Sequence, residues 1–280
     1  MKLRVVELLI ITTLPAMVLA QQGLPSFGLV AATLIGGTLA AGASNAFNMV
    51  IESESDKLMA RTSKRPLVTG AISKTQAKVF AWFITILSLA IFEIFTTPLA
   101  TLLTGLAIFY YVVIYTIILK PNTSQNIVWG GAAGAMPVLI GWAAVTGDLS
   151  PAAWMLFLVI FLWTPPHYWP LSMRYKADYA AAGVPMLPVV RNSATVAIQI
   201  VLYAWAMVVS SLLLIPLGDM GWIYTGVAVI SGCWFMFESY RLYREGMRGE
   251  VKNPMRLFHG SISYLTLLFV AVAIDPLLHF

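Results

Sequence analysis

The chain has 280 residues, of which 59% are hydrophobic and 10% are charged. Soluble domains carry about 25% charged residues, so this composition excludes a soluble domain. It indicates an all-α polytopic membrane protein with a single domain over residues 1–280. The single cysteine excludes an internal disulfide and a cysteine-ligated metal cluster, and the net charge of +5 reflects membrane topology, explained below, rather than nucleic-acid binding.

Nine apolar stretches of about twenty residues follow one another along the chain, and each is long enough to span a bilayer. The first begins in a sequence that resembles a signal peptide, but Glu7 interrupts its apolar core, so we interpret it as a retained first helix. The predicted spans are 5–21, 26–47, 77–95, 98–118, 127–146, 152–173, 195–216, 220–240 and 258–278.

The Lys and Arg residues indicate how these spans are oriented. With nine spans, all 17 basic residues lie in loops on one side, whereas the opposite turns carry Asp148 and Asp219. Because basic loops remain in the cytoplasm, this distribution predicts a cytoplasmic N-terminus and an outer C-terminus. Losing one span would scatter the charges over both sides, so the pattern also favours the count of nine.

The loop after the second span, NMVIESESDKLMARTSKRP (48–66), is densely charged. Asn48, Glu52 and Asp56 recur at intervals of four residues, which on a helix places them near one face. Two carboxylates and an amide oxygen suit a hard divalent cation.

Three basic residues follow these acids directly: Arg61, Lys64 and Arg65. Acids that hold a metal ion beside bases that hold an anion suggest a metal-bridged diphosphate. An ordinary charged loop between membrane helices is the alternative for this stretch taken alone.

The stretch 163–188, WTPPHYWPLSMRYKADYAAAGVPMLP, contains a second cluster. His167 lies about two helical turns inside the membrane boundary, among prolines that should kink or loosen the helix, and an ionisable residue at that depth is a functional candidate. A histidine bonded to a freed carbonyl is the alternative. Arg174, Lys176 and Asp178 follow on the same side as the first cluster, where an ordinary basic flank is the alternative.

Two residues near the inner end of the fourth span, Tyr115 and Lys120, are candidates to face the same cavity as these clusters. Gly130, Gly131 and Gly134 in WGGAAGAMP are typical of close packing between membrane helices.

Together these motifs resemble the UbiA-type intramembrane prenyltransferases. N-x-x-x-E-x-x-x-D followed by LMARTSKRPLVTG is similar to their first aspartate-rich motif, and PHYW with RYKADYAAAGVPMLPVV resembles the haem branch of that superfamily. QNIVWGGAAGAMPVLIGW, the opening RVVELLIITT and the ending SISYLTLLF also resemble that branch. Glu52 stands where the family more often has Asp, and Asp178 is single where the wider superfamily often has a DxxxD pair.

The resemblance implies a UbiA-type bundle of nine helices in the cell membrane, with its active-site loops on the cytoplasmic side. It implies transfer of a farnesyl group from farnesyl diphosphate to a vinyl group of haem b, giving haem O and diphosphate, with Mg²⁺ as the cofactor. The implied partners are these two substrates and the lipid bilayer, with a haem A synthase or a terminal oxidase assembly as candidate recipients of the product.

The family's functional residues are carried over to matching positions in this chain. Mg²⁺ is assigned to four residues: Asn48, Glu52, Asp56 and Asp178. These four and Lys176 form the implied catalytic set. Substrate binding is assigned to Arg61, Lys64, Arg65, Arg174, Tyr115, Lys120 and His167. For His167 three roles are open, namely contact with the haem iron, with a haem propionate or with the diphosphate.

Three other readings compete with this one. A UbiA-type enzyme that prenylates an aromatic acid or a quinone precursor fits the first cluster equally well but not the segment 167–188. A transporter requires ionisable residues deep within several helices, whereas here the charges gather at one face. A purely structural membrane protein does not need regularly spaced acids beside a basic cluster.

Overall fold

The computed structural model describes residues 3–59 and 62–278, with side chains described from Ile10 onward. Nine long helices lie within these residues, and each overlaps one predicted span. They are α1 (Leu3–Gln21), α2 (Phe27–Ile51), α3 (Lys74–Phe95), α4 (Pro98–Asn122), α5 (Asn126–Thr146), α6 (Pro151–Arg174), α7 (Ser193–Leu217), α8 (Trp222–Met247) and α9 (Pro254–Leu278).

Six of these helices, α2, α3, α4, α5, α7 and α9, are long and apolar enough to cross a membrane. Large apolar side chains cover the outside of the bundle; on α3 they include Val79, Phe80, Trp82 and Phe83. An apolar exterior of this extent suits lipid rather than water. The chain is therefore a multi-pass membrane protein, and the crossing of the membrane by α1, α6 and α8 stays a prediction.

Short polar residues begin several helices by satisfying free backbone N–H groups. At the start of α3, the hydroxyl of Ser73 accepts from the backbone of Gln76 at 3.1 Å, and the Gln76 side chain accepts from the backbone of Ser73 at 3.0 Å. The turn into α4 is as short as predicted. There the Thr97 hydroxyl donates to the carbonyl of Ala143 at 2.8 Å, which ties the α3–α4 hairpin to α5.

The helices pack in chain order into a ring. Each helix from α2 to α8 contacts the next one, and α1 closes the ring by packing on α2 and α9 while also contacting α5. At the contact between α1 and α5, a Cβ on Gly141 would lie 2.7 Å from Cγ2 of Thr13, so this approach requires glycine. The first helix is thus part of the bundle.

Two of the three glycines predicted to permit close packing do so. A Cβ on Gly131 would lie 2.9 Å from Oγ1 of Thr164 in α6, and one on Gly130 would overlap the ring of Tyr115 in α4. Gly134 is different, because nothing lies within 4 Å of its Cβ position. The packing interpretation is therefore wrong for Gly134, which faces a cavity described below.

An irregular helix is found in α4 rather than in α6. The prolines at positions 165, 166 and 170 do not interrupt α6, which is continuous from Pro151 to Arg174. In α4, by contrast, Tyr110–Leu119 is a π-helix, in which the Thr116 hydroxyl donates to the carbonyl of Tyr111 at 2.8 Å. Segments of π-helix occur often at functional sites, and this one faces the site described next.

Candidate active site

The three residues of the first predicted cluster follow a helical spacing, although one helix does not carry them all. Asn48 lies in the last turn of α2, which ends at Ile51, and the backbone N–H of Glu52 donates to the Asn48 carbonyl at 2.9 Å. Asp56 belongs to a separate 3₁₀ turn, Ser55–Leu58. Its N–H donates to the Glu52 carbonyl at 2.8 Å, which preserves the step of four residues.

A polar pocket of about 50 Å³ lies between the end of α2, the last turns of α4 and the end of α6. It is lined by Asn48, Glu52, Asp56, Met59, Arg65, Tyr111, Tyr115, Lys120, Tyr168, Tyr179 and Met186. The pocket thus brings together Asn48, Glu52 and Asp56 of the first cluster with one of its bases, Arg65. Tyr115 and Lys120, predicted to face the same cavity, also line it.

Each of the two carboxylates in the pocket is paired with a cation. Lys120 donates to Oε1 of Glu52, and Arg65 donates to Oδ2 of Asp56, whose side chain is 1% exposed. The Thr62 hydroxyl donates to the backbone carbonyl of Asp56 at 2.8 Å and holds the loop against the turn. Buried charges need such partners, because an isolated charge at low dielectric is costly.

The second carboxylate oxygen of Asp56 is a buried atom without a hydrogen-bond partner among the described residues. Buried polar groups are nearly always paired, so an unpaired carboxylate oxygen in a pocket indicates a place for a cation. A metal ion bound to this oxygen would account for its lack of a hydrogen-bond partner.

The amide of Asn48 is oriented so that its oxygen remains available to the pocket. The Thr116 hydroxyl donates its one proton to the Tyr111 carbonyl at 2.8 Å, so it can only accept from Asn48. The Asn48 amide nitrogen fills that role at 3.2 Å. The π-helix in α4 therefore sets which face of the asparagine points into the site.

The oxygen donors of the pocket fit a hard divalent cation such as Mg²⁺. They are the free oxygen of Asp56, the amide oxygen of Asn48 and the carboxylate of Glu52. Within the part of the chain that the structure describes, no three His, Cys, Asp or Glu side chains converge on one point. Sparse ligation is typical of Mg²⁺, which is held by one or two carboxylates together with substrate phosphates.

The second predicted cluster reaches the pocket through residues other than the charged ones. It contributes Tyr168, Tyr179 and Met186 to the lining. Arg174 and Lys176 are exposed and Asp178 is partly exposed, and none of the three lines the pocket. The structure thus brings the segment to the site but not these three side chains, whose roles stay predictions.

None of the other described charges of the first cluster lines the pocket. Arg61 falls outside the described residues, and Lys64 is exposed. Glu54 is also exposed and pairs with Lys57 at 2.6 Å and Lys74 at 3.1 Å. The hydrogen bond from Lys57 lowers the pKa of Glu54, which keeps this carboxylate ionised on the surface.

His167 lies on α6 beside the pocket rather than in its lining. Its Nδ1 is 2.7 Å from the hydroxyl of Ser261 on α9, and its ring stacks with Trp163 and Phe258, with ring centroids 4.0 and 4.6 Å away. The alternative of a bond to a carbonyl freed by proline is not what the structure shows. Tyr168, the next residue, does line the pocket.

A second, apolar cavity of about 150 Å³ lies next to the polar pocket within the bundle. Tyr111 lines both spaces, and Asn45, one turn before Asn48 on α2, lines the apolar one. Small and apolar side chains form most of its wall, including Ala40, Gly134 and Ile140. A charged pocket that shares a wall with an apolar cavity suits a molecule with an anionic head and a hydrocarbon tail.

Sequence reasoning missed the tyrosines at 111, 168 and 179 and the hydroxyl of Thr116. The available signal was weak, because tyrosines near helix ends usually form the aromatic belts at membrane interfaces. The four-residue step from Tyr111 to Tyr115 places both on one face, but an apolar helix contains many such pairs.

Comparison with known proteins identifies close relatives. A protein of Leifsonia xyli subsp. xyli named protoheme IX farnesyltransferase is 58% identical over 279 residues, which cover 100% of this chain and 91% of the relative. A protein of Streptomyces coelicolor with the same name is 53% identical over 280 residues, covering 99% of this chain and 89% of the relative.

Solved structures share the fold at low sequence identity. One concerns digeranylgeranylglyceryl phosphate synthase, with a TM-score of 0.79, 17% identity and 98% of each chain covered. Another is a UbiA homolog from Archaeoglobus fulgidus bound to DMAPP and Mg²⁺, with a TM-score of 0.70, 16% identity and 97% of this chain and 98% of that chain covered. The model of the UbiA prenyltransferase family matches residues 9–262. The chain therefore belongs to the UbiA prenyltransferase family.

Proposed function

We propose that this protein transfers a farnesyl group from farnesyl diphosphate to a vinyl group of haem b, giving haem O and diphosphate. The observation that supports the proposal is a pocket of paired acids and bases that lies beside an apolar cavity, with Tyr111 lining both. The relatives named protoheme IX farnesyltransferase, which match nearly the whole chain, support the choice of donor and acceptor.

The polar pocket binds the diphosphate head group. Lys120 and Arg65 carry the positive charges inside it, and they contact the diphosphate oxygens. Arg61, Lys64 and Arg174, which lie outside the pocket or outside the described residues, add further contacts from the surrounding loops. Developing negative charge on the leaving group is stabilised where such cations are already in place.

Asn48, Glu52 and Asp56 would hold Mg²⁺, together with Asp178 from the loop that also carries Lys176. The unpaired Oδ1 of Asp56 supports this assignment. When bound, Mg²⁺ acts as a Lewis acid that favours departure of the diphosphate.

The apolar cavity binds the farnesyl chain and keeps water from the reacting carbon. Burial of each CH₂ contributes about 0.8 kcal/mol, so the chain supplies much of the binding free energy. Exclusion of water lets the allylic cation survive until the vinyl carbon attacks it. After diphosphate has left, that carbon bonds to the farnesyl carbon, and the cation this leaves on the neighbouring vinyl carbon takes up water, which loses a proton.

We also propose a topology of nine spans in the plasma membrane, with the N-terminus and the active-site loops cytoplasmic and the C-terminus outside. The placement of all 17 Lys and Arg residues supports it. In this arrangement haem O is delivered within the membrane to a haem A synthase or to a terminal oxidase assembly.

The reaction is tested by incubating membranes that contain the protein with haem b, farnesyl diphosphate and Mg²⁺, followed by mass analysis of the haems. We expect farnesylated haem from the wild-type protein and none from Asp56→Asn, which stays in the membrane. Product from a phenolic acceptor, with no farnesylated haem, would replace this proposal by the quinone-type enzyme. Near-normal activity of Asp56→Asn would remove Asp56 from the metal site.

A further inference from the structure

The hydrogen bonds around Ser261 determine which nitrogen of His167 carries the proton. The Ser261 hydroxyl donates its only proton to the carbonyl of Phe258 at 2.6 Å. Its 2.7 Å contact with Nδ1 of His167 must therefore have the imidazole as the donor. In the neutral ring Nδ1 is protonated, and Nε2 bears an available lone pair.

The ring of His167 is also held in one orientation. Trp163 and Phe258 stack nearly parallel to it, with interplanar angles of 15° and 27°, so they cover its opposite faces. The indole N–H of Trp163 donates to the backbone carbonyl of Ser261 at 2.8 Å. This bond joins α6 to α9 beside the contact between His167 and Ser261. The direction of the Nε2 lone pair is therefore set by packing.

The Nε2 atom has no hydrogen-bond partner among the described residues. It is also absent from the buried polar atoms that lack a partner, so it is not fully buried. His167 is partly exposed, which places this nitrogen at an accessible surface. A histidine with only a structural role would need no free acceptor there.

We propose that Nε2 of His167 is the axial ligand of the haem iron while haem b is bound as the acceptor, an inference that rests on the proposed function. Of the three roles that the sequence leaves open, two require a hydrogen-bond donor, because a propionate and a diphosphate are both acceptors. An unprotonated Nε2 cannot donate, whereas it is the atom that binds iron when Nδ1–H is held by a partner.

The position of His167 agrees with this role. Its ring centroid is 6.4 Å from that of Tyr168, which lines the polar pocket. Haem bound through His167 would therefore lie near the residues that line the polar pocket.

The test is a titration of the purified full-length protein in detergent with ferric haem b, without farnesyl diphosphate, followed by absorbance and by electron paramagnetic resonance. We expect a histidine-ligated spectrum that is lost in His167→Phe, which keeps the aromatic stack, and in His167→Ala. Added imidazole restores it in His167→Ala. Ser261→Ala, which removes the partner of Nδ1, weakens haem affinity about 10- to 100-fold.

His259 provides the matched control, because it is an exposed histidine on the same helix α9 as Ser261. We expect His259→Ala to keep the wild-type spectrum. An unchanged spectrum in both His167 variants, or its loss in His259→Ala, overturns the assignment.

A second measurement needs no folded variant. Hyperfine coupling between the iron and ¹⁵N-histidine in the wild-type protein reports ligation directly, and its absence also overturns the inference. If the wild-type protein makes farnesylated haem without this ligation, the inference fails and the proposed function stands. If haem is ligated at His167 but no farnesylated haem forms, the proposed function fails.

Discussion

Gly134 offers a direct test of the apolar cavity as the binding site of the prenyl chain. It lines that cavity, and nothing lies within 4 Å of its Cβ position. Gly134 lies one helical turn beyond Gly130, whose neighbour Tyr115 lines the polar pocket. A leucine at position 134 would therefore project into the path of the chain without reaching the head-group pocket.

The expected magnitude follows from the volume that Gly134→Leu takes up. Its four side-chain carbons displace about four carbons of the farnesyl chain, at about 0.8 kcal/mol each. The lost binding free energy is about 3 kcal/mol, which corresponds to roughly two orders of magnitude in affinity. We expect the KM for farnesyl diphosphate to rise by that factor.

The assay compares the KM for farnesyl diphosphate with the inhibition constant of inorganic diphosphate, which needs only the polar pocket. In Gly134→Leu we expect the KM for farnesyl diphosphate to rise and the inhibition constant of inorganic diphosphate to stay constant. Gly226→Leu is the matched control, because Gly226 is a glycine of α8 whose Cβ position is equally open, outside the cavity. An unchanged KM in Gly134→Leu, or an equal rise of both constants, would refute the reasoning.

Two further variants test the polar pocket, and a third tests its metal. Lys120→Met removes the cation paired with Glu52. In the absence of diphosphate we therefore expect Mn²⁺ to bind on the order of tenfold more tightly, whereas diphosphate itself should bind more weakly. Electron paramagnetic resonance of Mn²⁺ measures the metal affinity. Thr116→Val removes the hydrogen-bond acceptor of the Asn48 amide. Leaving that donor unpaired costs about 1–3 kcal/mol, so we expect kcat/KM to fall about tenfold or more. Asp56→Asn is expected to lose Mn²⁺ binding in the presence of diphosphate as well as turnover.

Matched controls exist for the first two variants. Lys74→Met breaks an ion pair with Glu54 that is exposed on both sides, and such pairs contribute little, so metal binding should not change. Thr104→Val alters a buried threonine of the same helix α4 that bonds only within that helix, so kcat/KM should stay near wild type. Equal effects of Lys74→Met and Lys120→Met, or of the two threonine variants, would contradict the roles assigned to Lys120 and Thr116.

The long helices and their turns follow from the sequence because they depend on local composition. Each apolar stretch forms a helix, and residues such as Ser73 and Thr97 begin helices where the sequence changes from loop to span. The first acidic cluster was predictable for the same reason. Its spacing of four residues is a local property, and backbone hydrogen bonds preserve it even where α2 gives way to a 3₁₀ turn at Asp56.

The sequence by itself determined an all-helical membrane bundle and located the two acids, Asn48, Tyr115 and both bases, Arg65 and Lys120, of its polar site. Only the tertiary structure decided that the second cluster meets the pocket through Tyr179 rather than Asp178, that Gly134 faces a cavity while Gly131 packs, and that His167 presents a free Nε2. These outcomes depend on how each helix is rotated about its axis. In a bilayer the lipid is as apolar as the bundle interior, so the hydrophobic pattern of a helix does not reveal which of its faces points inward.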